Sequence, residues 1–224
     1  MFRLARFRFG ENPLTQLMTR HLLADDPQAI IETAAAITRG ELVVFPTDTL
    51  YGIGTNAFDE KAILSLYTVK RRSLGKGIPI LLADVTDLEK VAKDIPQRAR
   101  DLIARYWPGP LTLIVPKRTN LPPVISGNEG IAVRIPDCEI ARAVIRAAGG
   151  AVATSSANRS GHLPAQTAEQ AMLELERDVV IVLDGGPTGQ ATPSTIVDCT
   201  GKGLHILRQG SIGRELKLND KRIE

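Results

Sequence analysis

Four polar clusters in this sequence carry residue types that could do chemistry. The first is Pro46-Thr47-Asp48-Thr49-Leu50-Tyr51-Gly52-Ile53-Gly54, directly after an apolar run. Its hydroxyls and glycine-freed amides suit an anion or an amino-acid head group. They also suit an ordinary turn rich in side-chain-to-backbone bonds, which spacing alone favours. The second is Lys70-Arg71-Arg72, followed by Lys76, at the C-terminal end of an expected helix, where cations complement the dipole. Cations before a glycine-bounded loop can clamp a triphosphate, or they form a solvated charge run. The third, Thr154-Ser155-Ser156-Ala157-Asn158-Arg159-Ser160-Gly161, offers phosphate or ribose contacts, or else helix capping and turns. The fourth, Asp184-Gly185-Gly186-Pro187-Thr188-Gly189, reads alone as a flexible turn. It leads into Pro193-Ser194-Thr195-Ile196-Val197-Asp198, and Leu207-Arg208-Gln209-Gly210 follows.

Other chemistries are missing. The sequence has no GxxxxGK[ST], no GxGxxG after a strand, no GxSxG and no HExxH. Cys138 and Cys199 are too far apart for a CxxC motif and read as structural residues. His21, His162 and His205 are scattered singly, so neither a histidine metal site nor a Cys–His dyad is expected. No metal ligand set is assigned.

These clusters need elements to hold them. The chain has 224 residues, 43% hydrophobic and 24% charged, which describes a globular domain able to bury its own core. Lys and Arg total 28 against 25 Asp and Glu, so the net charge is +3, too small to declare a nucleic-acid binder. Five Phe, three Tyr and one Trp are too few for a base-stacking platform. No apolar run reaches the roughly 20 residues of a membrane-spanning helix.

Asp26-Pro27 reads as a helix start with Gly40 as its stop, and Asp59 caps a second helix through Val69. Further helices are expected around Leu88-Val91, Ala99-Tyr106, Glu139-Ala148 and Thr167-Leu175. Strands are expected at Leu42-Phe45, Ile78-Leu82, Leu111-Val115, Ile131-Ile135, Ala151-Thr154, Val179-Leu183, Ser194-Asp198 and Leu204-Leu207. Pro79 should sit at an edge, a strand start or a bulge. The alternation predicts an α/β fold with a mixed sheet and helices on its faces. Residues 1–24 read as an N-terminal arm; its first ten, with Arg3, Arg6 and Arg8 and no secretory apolar core, read as frayed or strand-forming, with an amphipathic organelle-targeting leader as the alternative. Residues 25–213 read as the folded domain and 214–224 as a charged tail. Scarce cysteine and the missing signal point to the cytoplasm.

Taken in order, these pieces resemble the YrdC family, the threonylcarbamoyl-AMP synthase family, from about Pro27 to Ile212. Trp107-Pro108-Gly109-Pro110-Leu111-Thr112 and Ile131-Ala132-Val133-Arg134-Ile135-Pro136 complete the pattern. The resemblance implies a three-layer fold: a twisted mixed sheet, helices on both faces and a large basic cavity. It implies an enzyme joining L-threonine, bicarbonate and ATP into threonylcarbamoyl-AMP and pyrophosphate, with Mg²⁺ on the phosphates. A separate transferase machinery would then modify tRNA, and the resemblance extends the expected partners to tRNA or double-stranded RNA. By that likeness Thr47, Arg134 and Ser194 bind L-threonine. Lys70 and Arg72 are catalytic and clamp the ATP phosphates. Thr154, Ser156, Asn158 and Arg208 line the nucleotide. Ser73 stands where the family usually has Pro, and the chain resembles the short, single-domain type. The competing reading is a YciO-like or RNA-binding module without this activity.

Overall fold

The computed structural model describes residues 19–189 and 192–219. The arginine-bearing start of the arm lies outside them. In chain order the elements are β1 (Arg20–Leu23), α1 (Pro27–Thr38), β2 (Val43–Phe45), β3 (Gly52–Asn56), α2 (Glu60–Lys70) and β4 (Ile80–Leu82). Next come α3 (Leu88–Val91), α4 (Gln97–Tyr106), β5 (Leu111–Pro116), β6 (Gly130–Arg134), α5 (Glu139–Ala147) and β7 (Ala151–Ser156). The last are α6 (Ala168–Leu175), β8 (Ile181–Asp184), β9 (Thr195–Asp198), β10 (His205–Arg208) and α7 (Gly213–Asn219).

Local chemistry sets several boundaries. The Asp26 carboxylate accepts from Gln28 N at 2.9 Å and Pro27 opens α1, while Gly40 at φ +81 lets the chain turn away. Asp59 accepts from the Lys61 and Ala62 amides and starts α2. That helix ends at Arg71, whose φ of 49 puts a non-glycine residue in the left-handed region. Pro79 lies just before β4, with its carbonyl accepting from Thr154 N, so no ladder donor is missed.

The ten strands form one mixed sheet in the order β1-β8-β2-β3-β7-β4-β6-β5-β9-β10. β1–β8, β2–β8, β4–β6 and β5–β9 are parallel, and the other pairs are antiparallel. Alternation of side chains splits the sheet into two faces. On one face Val44, Ile53, Ile80, Leu113 and Val133 pack with α2, α4 and α6 through Ile63, Leu102 and Ala171. On the other, Val43, Phe45, Leu81, Val152 and Ile181 pack under α1 and α5 through Ile37 and Val144. That second core takes in no side chain of β5, β6, β9 or β10. Helices therefore cover only part of this face, and the cavity described below occupies the rest.

Three segments differ from their sequence patterns. Gly52–Asn56 belonged to a cluster read as polar turn chemistry, yet it is β3, held between β2 and β7. Glycine weakens a strand in isolation, but here it is required. A Cβ on Gly52 would stand 2.9 Å from Thr154 Cγ2, and one on Gly54 2.8 Å from the Phe45 ring. Arg20–Leu23, within the expected arm, is the edge strand β1. Gly213–Asn219, which runs from the end of the expected domain into the expected tail, is helical, and Leu216 is buried in the larger core.

Candidate active site

A cavity of about 470 Å³ opens on the uncovered part of the sheet. Its floor is the side-chain row that faces away from the larger core: Thr112 and Ile114 of β5, Ala132 and Arg134 of β6, and Ile196 of β9. The loop after β2, the end of β7 and β10 supply the rim.

Arg134 is 6% exposed. Its Nε donates to Gly109 O at 2.9 Å, Nη1 to Thr49 Oγ1 at 3.1 Å, and Nη2 to Asp48 Oδ1. A guanidinium has five N–H groups, so one on each terminal nitrogen remains. Charged donors of this kind suit an anion. Burial pulls the Arg134 guanidinium below its usual value, and Asp48 opposes the shift. Thr47 Oγ1 donates to Leu50 O at 2.6 Å and accepts from the Thr49 and Leu50 amides at 3.2 Å, which folds the loop after β2 over the cavity.

Across the floor, Arg208 donates from Nε to Ser194 O at 3.0 Å and from Nη2 to Ser194 Oγ at 3.1 Å. Ser194 Oγ also shares a 2.8 Å bond with Thr112 Oγ1. Burial of its head group lowers the Arg208 value first, and the charge of Arg134 lowers it further. Two like charges thus face one space. Arg72 leaves the helix end at Arg71 and donates to Lys76 O at 3.0 Å and Gly77 O at 2.9 Å. Those bonds fix the glycine loop beside the cavity, and burial lowers the Arg72 value too.

Thr154 and Ser156 face the cavity from β7. Thr47, Arg72, Arg134, Thr154, Ser156, Ser194 and Arg208 are therefore brought together in one wall. Lys70 and Asn158 are not in it. Lys70 is 2% exposed and sits behind Ser156, with Nζ on Asn158 Oδ1 at 3.0 Å. Burial, and then Arg72, pull the Lys70 ammonium down to about 8.

Sequence reasoning passed over several participants. Asp48 and Thr49 lie inside the first cluster, but their partner Arg134 is 86 and 85 residues away. Thr112 lies inside a quoted motif without a role. Ser126 and Asn128 line the far end, where Ser126 Oγ donates to Gly130 O at 2.7 Å, and no pattern marked them. Tyr51 donates to Gly186 O at 2.7 Å, tying the loop after β8 to the cavity, and burial pushes its phenol up to about 12.

The lining holds three arginines and a row of hydroxyls, with no Asp, Glu, His or Cys among the described residues. Nor do the described residues contain a group of three or more His, Cys, Asp or Glu placed to hold a metal ion. Fixed cations and neutral hydroxyls on a mixed α/β sheet make this a protein built to gather small anions. A family model described as "Telomere recombination", for the Sua5, YciO and YrdC proteins, matches residues 35–210. The chain belongs to that family. It is 38% identical over 200 residues to the threonylcarbamoyl-AMP synthase of Bacillus subtilis, covering 88% of this chain and 58% of that protein. It is 38% identical over 203 residues to a putative threonylcarbamoyl-AMP synthase of Mycobacterium tuberculosis, covering 88% and 93%. The crystal structure of P. abyssi Sua5 complexed with L-threonine superposes with a TM-score of 0.86 at 34% identity, covering 92% of this chain and 62% of that one. The chain thus spans less than two thirds of the B. subtilis and P. abyssi proteins and nearly all of the M. tuberculosis one.

Proposed function

We propose that this protein is an L-threonylcarbamoyladenylate synthase. The threonine amine adds to the carbon of bicarbonate with loss of water, giving a carbamate. A carbamate oxygen then attacks the α-phosphorus of ATP, the bond to the β-phosphate bridge breaks, and pyrophosphate leaves. The one observation that carries this reading is the convergence of Arg72, Arg134 and Arg208 on a cavity whose lining has no carboxylate. Bicarbonate, the threonine carboxylate and a triphosphate are all anions. Holding them together needs fixed positive groups more than a protein nucleophile.

In this reading Arg134 takes the threonine carboxylate on its two free N–H groups, beside Thr47 and Ser194. Arg72, Thr154, Ser156 and Arg208 receive the nucleotide. Mg²⁺ prefers oxygen ligands, carboxylates above all. The lining offers none, so the ion would be held by the phosphates themselves and not by this chain. The product, a mixed anhydride, suits a tRNA-modifying transferase machinery as its consumer, with a direct tRNA or double-stranded RNA contact as a further expectation. Residues 25–213 form the catalytic unit. No helix among the described residues is long and apolar enough to cross a membrane, and a cytoplasmic location fits tRNA modification.

The test is incubation with ATP, Mg²⁺, bicarbonate and each amino acid in turn. Pyrophosphate release specific to threonine is expected. If no amino acid supports release, the reading is overturned in favour of a YciO-like or RNA-binding module without this activity.

A further inference from the structure

Lys70 is the best-anchored cation near the cavity, and its bonds all run inward. Nζ donates to the carbonyls of Ser156 and Asn158, both at 2.5 Å, and to Asn158 Oδ1 at 3.0 Å. Ser156 Oγ stands at 3.4 Å. An ammonium has three N–H groups, and three protein acceptors already take them. The backbone repeats the tie: Ser160 N donates to Lys70 O at 2.9 Å, and Arg159 Nη1 to Val69 O at 3.2 Å. Asn158 in turn donates to Arg159 O and His162 O. Ser156 faces the cavity, whereas Lys70 does not.

We propose that Lys70 is a positioning residue and not a phosphate ligand: it sets Ser156, and the turn through Asn158, from behind the cavity wall. The proposal rests on the nucleotide reading above. It separates Lys70 from Arg72, which lies in the wall itself. A ligand of the β- or γ-phosphate helps ATP more than AMP, because it touches groups that AMP lacks. A residue that sets Ser156 helps every nucleotide seated on Ser156 alike.

The experiment is calorimetric binding of AMP, ADP and ATP to the wild type, Lys70→Met, Ser156→Ala and the double variant. Lys70→Met should weaken all three by a similar factor, roughly tenfold, the order of one charge-assisted hydrogen bond. The double variant should be no weaker than the worse single one, because both changes remove one device. Loss confined to the advantage of ATP over AMP, or additive effects, would overturn the proposal. If Lys70→Met does not fold, the wild type still decides. The groups around Lys70 are Arg72 from the turn after α2, Glu174 from α6, and Arg159 and His162 from the loop between β7 and α6. Burial and Arg72 lower the Lys70 value and Glu174 opposes them. Between about pH 7 and about pH 9.5 the ammonium is lost, so AMP and ATP affinities should fall in parallel. A fall for ATP with constant AMP affinity would assign Lys70 to the β- or γ-phosphate. Wild-type protein that binds none of the three would overturn the nucleotide reading itself.

Discussion

At the scale of single residues, the Asp48–Arg134 pair decides most. Its side chains are 14% and 8% exposed, so each charge depends on the other for solvation. Removing one partner of a buried pair leaves the other uncompensated, at a cost of about 3 kcal/mol or more. Asp48→Asn should therefore lower the unfolding free energy by about 3 kcal/mol in urea titrations. A loss under about 0.5 kcal/mol, the range of an ordinary surface change, would show that water already reaches the guanidinium. None of this pairing was readable in advance. The motif around Asp48 signals that something is bound, but residue types do not say which carboxylate a given arginine meets across 86 residues. Lys70 teaches the same lesson from the other side. A lysine two places from a cavity arginine looks like its equal, and only the fold shows that its donors point away.

At the scale of elements, helices were legible because their ends are chemical. Asp26 and Asp59 cap α1 and α2 where the pattern placed them. β3 was illegible because its glycines are demanded by neighbours remote in sequence, not by local preference. Another contact between elements has a measurable pH dependence. Asp84, just after β4, accepts from Arg142 Nη2 at 3.0 Å and from Arg146 Nε at 2.9 Å, joining that strand end to α5. These hydrogen bonds, Arg146 first, hold its carboxyl down at about 2, against 3.8 ordinarily. The unfolded chain thus binds the proton first as pH falls. The stabilisation is present above about pH 4 and is lost progressively towards about pH 2. Asp84→Asn should lower the melting temperature slightly at neutral pH, since exposed pairs contribute little. Wild type and variant should converge near pH 2. A gap that persists there would assign the effect to the turn that Asp84 begins and not to its charge.

At the scale of the whole molecule, an unequal division of helices leaves the cavity room. α1 and α5 cover one part of a face, and β5, β6 and β9 keep the rest open with short or polar side chains among the apolar ones. The mixed sheet and the two helix layers were legible from alternation and spacing. Strand order was not, since it depends on pairings such as Arg20 with Ile181 and Leu111 with Thr195. Those same pairings carry a consequence in time. Parallel partners far apart in the chain close long loops before they gain contacts, so they join late. The walls of the cavity come from Thr47 at one extreme and Arg208 at the other, and nothing resembling it exists in a partly formed sheet. ATP should therefore slow unfolding in stopped-flow experiments and leave the refolding rate unchanged. Faster refolding with ATP would show the cavity already present at the rate-limiting step. For a chain emerging from the ribosome, ligand can act only as a lock applied after β10 has docked, never as a template. Until β9 pairs with it, β5 presents an open sheet edge.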